Sequence, residues 1–230
     1  MRLHDWTGFA ALGAGILCIV ALVRGSSAWT VAWLLIAAAT AVVTRYWSVT
    51  RPSPMPHRLR WTLRVPRGNH SPRHLDRLLE PHSGERLLEI GPGIGIHSLP
   101  MAAALRPGGT LDVLDVQRAM LDDVILRARK AGIDNISARQ GDAERLPYRD
   151  AAFDGAYLIG VLGEVPNEDA ALREILRVLK PGGRLVIGEV AFDPDFITFN
   201  SLQQRTRRAG FTFERRIGGA FSYLARFRPG

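Results

Sequence analysis

Residues 87–95 read LLEIGPGIG. A short apolar run ends in an acid, passes through glycines at 91, 93 and 95, and gives way to a segment of helical composition. Strand, glycine loop and helix in that order suit a turn whose backbone approaches a ligand closely, because glycine has no Cβ and adopts positive φ freely. The free amide groups at the start of the following helix favour an anionic partner. The spacing is G-x-G-x-G, whereas dinucleotide-binding folds use G-x-G-x-x-G. Alone, the stretch also fits a plain glycine-rich turn.

Working outward, RHLDRLLE (73–80) is amphipathic and RLLEI (86–90) reads as strand. Residues 96–105 read as helix, TLDVLD (110–115) as strand, 118–131 as helix and ISARQ (136–140) as strand. FDGAYLI (153–159) is the next strand, followed by a periodic helix over 168–179 that stops at Lys180-Pro181-Gly182-Gly183. RLVIGE (184–189) is the fifth strand and 196–209 a further helix. FTFERRI (211–217) and AFSYLARF (220–227), joined by Gly218-Gly219, read as a hairpin. Five strands alternating with helices predict an α/β chain with a parallel, doubly wound sheet. The hairpin adds two strands, at least one antiparallel.

The whole chain has 230 residues, enough for one enzyme-sized domain with some to spare. Its net charge of +8 suggests a nucleic-acid partner until the charge is located. Residues 1–79 sum to +8, residues 80–200 to −6 and residues 201–230 to +6. The middle is acidic and both ends are basic. The single cysteine, Cys18, excludes an internal disulfide framework and a Cys-cluster metal site, and no metal is expected.

Trp6–Val23 and Ser26–Thr44 are uncharged runs of 18 and 19 residues. At 1.5 Å per helical residue, each spans most or all of a bilayer core of about 30 Å. Trp6, Trp29 and Trp47 lie near the ends of the runs, where aromatic rings favour the headgroup boundary. The reading is a hairpin of two transmembrane helices over 1–47. A cleaved signal peptide and a buried soluble helix pair are the alternatives. The arginines that follow the second run put both termini, and everything after 47, on the cytoplasmic side. Residues 48–70, rich in arginine and proline, read as a linker or as an interfacial segment on anionic lipid.

Four further stretches join the glycine loop. Asp115 ends the second strand, where a carboxylate can accept from ribose hydroxyls or cap the next helix. GDAERLPY (141–148), FDGAYLIGVLGEV (153–165) and LREILRVLKPGGRLVIGE (172–189) complete the set. In this order and spacing they resemble the class I S-adenosylmethionine-dependent methyltransferases, over about residues 71–230. The subgroup they most resemble acts in ubiquinone/menaquinone biosynthesis and phospholipid N-methylation. The resemblance implies a seven-stranded Rossmann-like sheet with a reversed last strand, and S-adenosylmethionine as cofactor. By matching position it implies that Glu89, Gly91, Gly93 and Gly95 surround the methionine part. Asp115 would take the ribose with Val116 beside adenine, Asp142 and Ala143 the adenine, and Ile159 and Gly160 would line the crevice.

Methyl transfer needs alignment of a nucleophile and exclusion of water, and a general base only if the nucleophile carries a proton. His97, Tyr148 and Glu164 are the candidates, each with a plainer role: first-turn residue, packing aromatic and helix cap. His70 and His74 could belong to a lid. An amino-methylating DNA enzyme is disfavoured, because Tyr157-Leu158-Ile159-Gly160 stands where its Asn/Asp-Pro-Pro-aromatic motif would be. The expected acceptor is a lipophilic molecule at the bilayer: a quinone precursor, a phospholipid or an isoprenoid. A membrane-anchored cofactor-binding scaffold, and an RNA methyltransferase using the Arg-rich tail, are the rival readings, although no stacking platform for RNA is visible.

Overall fold

The computed structural model describes residues 27–64 and 69–230. The first apolar run, 6–23, lies outside the described residues. The chain divides into two compact units, 1–53 and 54–230.

In the first unit, helix α1 (Ser27–Thr50) covers the second apolar run. Among the described residues it is the one helix long and apolar enough to cross a membrane, over Thr30–Thr50. Its large apolar side chains face outward: Leu35 is 66% and Val42 69% exposed. Its hydroxyls turn back on the helix's own carbonyls, Thr40 to Ile36 at 2.6 Å and Thr44 to Thr40 at 2.8 Å. That satisfies polar groups without solvent. At the far end the Arg51 guanidinium stacks 4.5 Å over Trp47.

In the second unit a 3-10 helix (His57–Arg64) is followed by α2 (Pro72–Leu79), β1 (Arg86–Ile90), α3 (Ser98–Ala104), β2 (Thr110–Asp115), α4 (Arg118–Lys130) and β3 (Ile136–Gln140). Then come β4 (Phe153–Ile159), α5 (Glu168–Val178), β5 (Leu179–Val190), α6 (Phe199–Arg208), β6 (Phe211–Gly218) and β7 (Ser222–Pro229). The seven strands form one sheet in the order β3-β2-β1-β4-β5-β7-β6. β1 to β5 are parallel, and β7 lies antiparallel between β5 and β6.

Both faces of the sheet are covered, and strand alternation assigns each side chain to one of them. Leu87, Leu111, Val113, Tyr157 and Val186 pack with Leu75, Leu79, Met101 and Val124 on the α2, α3 and α4 side. Leu88, Leu114, Leu158, Leu185 and Ile187 pack with Leu172, Ile175 and Leu202 on the α5 and α6 side. Period two therefore puts Glu89 on the face of Leu87, and Asp115 on the face of Leu111 and Val113.

The two largest departures from the sequence reading fall at the starts of β5 and α6. LKPGG belongs to β5: Leu179 pairs with Phe153, and the register then shifts before Gly155 meets Arg184. Gly182, at φ +76°, lets the strand turn out and return. The helix expected from 196 begins at Phe199, after an extended Thr198.

α2 is tied to the sheet by arginine. Arg184 donates to the carbonyls of Leu79 and of Glu80 (2.9 Å) and pairs with Glu85. Glu80 ends α2 in the left-handed region (φ +50°), a place glycine usually takes. It is held there by the buried Arg226 at 2.7 Å and by Arg215 at 2.5 Å. These two guanidinium groups draw its carboxyl down to about 2. Arg184→Met is expected to cost about 3 kcal/mol, since buried carbonyls and the Glu85 carboxylate lose their partner together. A urea midpoint unchanged from wild type would show that Arg184 does not anchor α2.

Candidate active site

The strand order reverses at β1, which has β2 on one side and β4 on the other. In a parallel sheet this opens a crevice beyond the carboxyl ends of those strands. The loops after β1, β2, β3 and β4 all emerge there, and they carry the predicted cofactor residues.

The glycine loop is a tight one. Gly91, Gly93 and Gly95 have φ of +67°, +54° and +79°. A Cβ on Gly91 would come within 2.4 Å of the Val161 side chain in the loop after β4. Gly91 thus lets the two walls of the crevice meet. A Cβ on Gly93 would lie 2.7 Å from the Leu63 side chain.

Glu89 is buried, 3% exposed, beneath this loop. The Ser98 hydroxyl, in the first turn of α3, donates to it. Burial pushes the Glu89 carboxyl up to about 7, with the Asp115 charge adding to the rise and the Ser98 hydrogen bond opposing it. Asp115, 9% exposed, has one oxygen accepting from the Gln117 amide at 2.8 Å. Burial raises its pKa as well. Val116 is partly exposed beside it. The Gly141 amide donates to the Asp115 carbonyl at 3.1 Å, which brings the end of β3 alongside β2. There Asp142 is exposed, one of its oxygens accepting from the Glu144 amide at 2.9 Å, and Ala143 is buried. Ile159 and Gly160 close β4, with the Gly160 amide bonded to the Gly188 carbonyl at 2.8 Å.

All ten predicted cofactor residues therefore lie at one end of the sheet. Positive-φ glycines open the backbone, a half-satisfied carboxylate stands at the end of β2, and a buried acid lies beneath. This donor set fits a nucleoside joined to a cationic amino acid. Among the described residues no group of three or more His, Cys, Asp and Glu is arranged to hold a metal ion.

The base candidates separate. Tyr148 packs edge-on against Phe153 at 4.9 Å, with Arg86 stacked over it. Phe153 and Arg86 begin their strands, so Tyr148 sits at the opposite end of the sheet from the crevice. The structure does not bring it to the site. His97 precedes α3, and its Nε2 lies 2.7 Å from the His70 carbonyl, so that nitrogen is a donor. His70 in turn reaches the carbonyls of Glu189 and Tyr223 at 3.0 and 3.2 Å. Both histidines lace residue 70 onto the sheet. His74 is bonded to Ser71 at 3.0 Å. Glu164 does lie at the crevice end, where its Oε2 accepts from the Met55 amide at 3.1 Å. Burial first, then the charges of Asp195, Asp193 and Asp115, hold its pKa well above the carboxylate range. Glu189, near the end of β5, is raised well above that range by burial and by the charges of Asp195, Asp193 and Glu164.

Two features escape sequence reading. Gln117 bridges the loop after β2 to the 54–64 segment, accepting from the His57 amide at 3.2 Å and donating to the Met55 carbonyl at 2.8 Å. Glu189 reads as the end of an apolar strand. No sequence signal marks either, because their partners are distant in the chain.

Glu89 makes the cofactor-free protein sensitive to pH. With a folded pKa of about 7 against an ordinary 4.5, the folded chain holds more protons than the unfolded one between those values. Its contribution is intact below pH 4.5, falls as pH rises to about 7 and then levels off, a loss of about 3 kcal/mol. Glu89→Gln keeps an acceptor for Ser98 and is expected to flatten that part of the profile. Urea midpoints of the full chain at pH 5 and 7.5 measure it, and equal slopes for the two proteins would refute the assignment.

Residues 88–187 match the family model described as a methyltransferase domain. A ubiquinone/menaquinone biosynthesis C-methyltransferase (UbiE) of Pseudomonas putida is 41% identical over 110 residues, 46% of this chain and 42% of that protein. The chain spans less than half the length of this curated relative. A SAM-dependent methyltransferase from Aquifex aeolicus superposes with a TM-score of 0.70 at 16% identity, covering 77% of this chain and 100% of that one. The [4+2]-cyclase SpnF superposes with a TM-score of 0.59 at 26% identity, over 72% of this chain and 65% of that one. The glycine crevice, the strand order and the matched segment agree: residues 88–187 are similar to a methyltransferase domain, on the fold of a solved SAM-dependent methyltransferase, and S-adenosylmethionine is the cofactor this likeness implies.

Proposed function

We propose that the chain is a membrane-anchored methyltransferase whose acceptor is a lipophilic small molecule of the quinone-precursor kind. The observation that carries the reading is the 41% identity to a quinone-biosynthesis C-methyltransferase over 110 residues. The outward-facing apolar surface of α1 supports an anchor at the bilayer. Two spans, with the termini and the domain cytoplasmic, complete the proposal. So does the division into hairpin (1–47), basic segment (48–70) and enzyme domain (71–230).

The bound cofactor supplies an activated methyl group, and the chain's residues hold and shield it. The loop at Gly91, Gly93 and Gly95 admits the amino-acid part, with Glu89 beneath it. Asp115 accepts from the ribose hydroxyls, and Val116, Asp142 and Ala143 receive the adenine. Ile159 and Gly160 line the approach of the acceptor. Glu164, its pKa raised by burial, holds the Met55 amide. Orientation and exclusion of water then supply most of the rate.

A second reading, a cofactor-binding protein that does not transfer methyl groups, is favoured by the likeness to the [4+2]-cyclase, whose named activity is not methylation. Fold alone does not separate the two. Methyl-labelled cofactor incubated with the full chain and membrane lipids, followed by mass analysis, is expected to label a prenylated ring compound. Binding without any labelled lipid would favour the second reading. Equal methylation of a water-soluble metabolite by residues 51–230 would remove the membrane from the argument. Asp115→Ala is expected to weaken cofactor binding about 10- to 100-fold, because a hydrogen bond to a charged group contributes about 1.5–3 kcal/mol. Unchanged affinity in calorimetry would exclude Asp115 from the site.

A further inference from the structure

Residues 54–64 read as linker, yet they belong to the compact second unit and run over the mouth of the crevice. The Met55 amide is held by Glu164, beyond β4, and the Met55 carbonyl by Gln117, beyond β2. The His57 amide is held by Gln117 as well. The His57 ring and the Arg60 guanidinium both reach Asp123 of α4, at 2.9 and 3.0 Å. Leu63 then stands against Gly93, in the space a Cβ there would need. A single strap thus touches the loops after β1, β2 and β4, the three that define the cofactor crevice. A cofactor seated on Gly93 and Asp115 lies beneath it.

The strap's other face is of different character. Trp61 is 55% exposed, and Arg58 and Arg60 are exposed beside it. No acidic residue occurs between Asp5 and Asp76. An exposed indole flanked by guanidinium groups suits the headgroup layer of an anionic bilayer, where the ring sits at the interface and the cations meet phosphate. Only six residues separate Thr50 at the end of α1 from His57, which keeps the strap near any bilayer that α1 enters.

We propose that residues 54–63 form a strap over the cofactor crevice whose outer face docks on anionic lipid, so that the membrane controls exchange of the cofactor. The sign follows from competition. Arg60 is bound to Asp123 on the inner side, and lipid phosphate competes with that carboxylate for the same guanidinium. Docking therefore loosens the inner contacts and opens the crevice. The inference rests on the membrane-anchored reading above.

The test uses the full chain in nanodiscs of phosphatidylcholine, with and without about 30% phosphatidylglycerol. It is loaded with labelled S-adenosylmethionine and chased with unlabelled cofactor. Release is expected to be at least about fivefold faster on the anionic discs. Arg58→Glu and Trp61→Ala, both at exposed positions of the strap, should abolish that acceleration and leave release on neutral discs within about twofold of wild type. Leu63→Ala should speed release on neutral discs. Equal release on both lipids, acceleration that survives both outer-face variants, or no effect of Leu63→Ala would each overturn the strap while leaving the proposed enzyme standing. A chain that enters the discs but retains no labelled cofactor would overturn the enzyme reading and the strap with it.

Discussion

The order of strands around β1 is the constraint on which everything else in the second unit depends. Because β1 pairs in parallel with both β2 and β4, three carboxyl ends emerge together and their loops must part. The parting is narrow. Gly91 and Val161 meet so closely that a side chain on the glycine would push the two walls apart. The same geometry draws two acids, Glu89 and Asp115, onto one face of the sheet beneath the opening. Their burial raises both pKa values, and a cationic ligand placed above them relieves the cost. The crevice is thus electrostatically incomplete by itself.

Charge is where composition misleads. The excess of arginine at the carboxyl end suggests an anionic partner, but four of its seven arginines are paired with acids of the same chain. Arg226 is almost fully buried between Glu80 and Glu214. Arg215 serves Glu80, Arg228 serves Glu214, and Arg205 serves Glu168. Buried guanidinium groups persist only when paired. These pairs therefore brace β6 and β7 to each other and to the end of α2, and α6 to α5. The exposed cationic surface considered for lipid lies at the other end, with Arg58 and Arg60.

The 54–64 segment joins two questions that the fold alone keeps apart, namely where the protein resides and how its crevice opens. Its inner contacts run through the Met55 and His57 backbone groups and through the His57, Arg60 and Leu63 side chains. Such contacts make a strap that can leave without unfolding anything else. Its outer contacts belong to whatever surface the protein meets.

The elements were legible in the primary sequence because local rules write them. β2, β3 and β4 begin and end where alternation and the flanking glycine or proline put them. α5 starts behind its Asn167 cap and stops within a residue of the expected end. The LKPGG bulge was missed because a proline and two glycines read as a stop, whereas here they let a strand turn out and resume. That the expected cofactor residues gather at one end of the sheet was legible from motif order, since each lies at or after the end of a strand that the pattern itself marks. The fates of Tyr148, His97 and Gln117 were not. Each depends on a partner far away in the chain: the start of β1 for Tyr148, residue 70 for His97, and Met55 and His57 for Gln117. Periodicity and caps act over a few residues and so determine the elements and their order. Which end of the sheet a side chain reaches, and what covers the crevice, was decided only when contacts 27 to 109 residues apart closed in three dimensions.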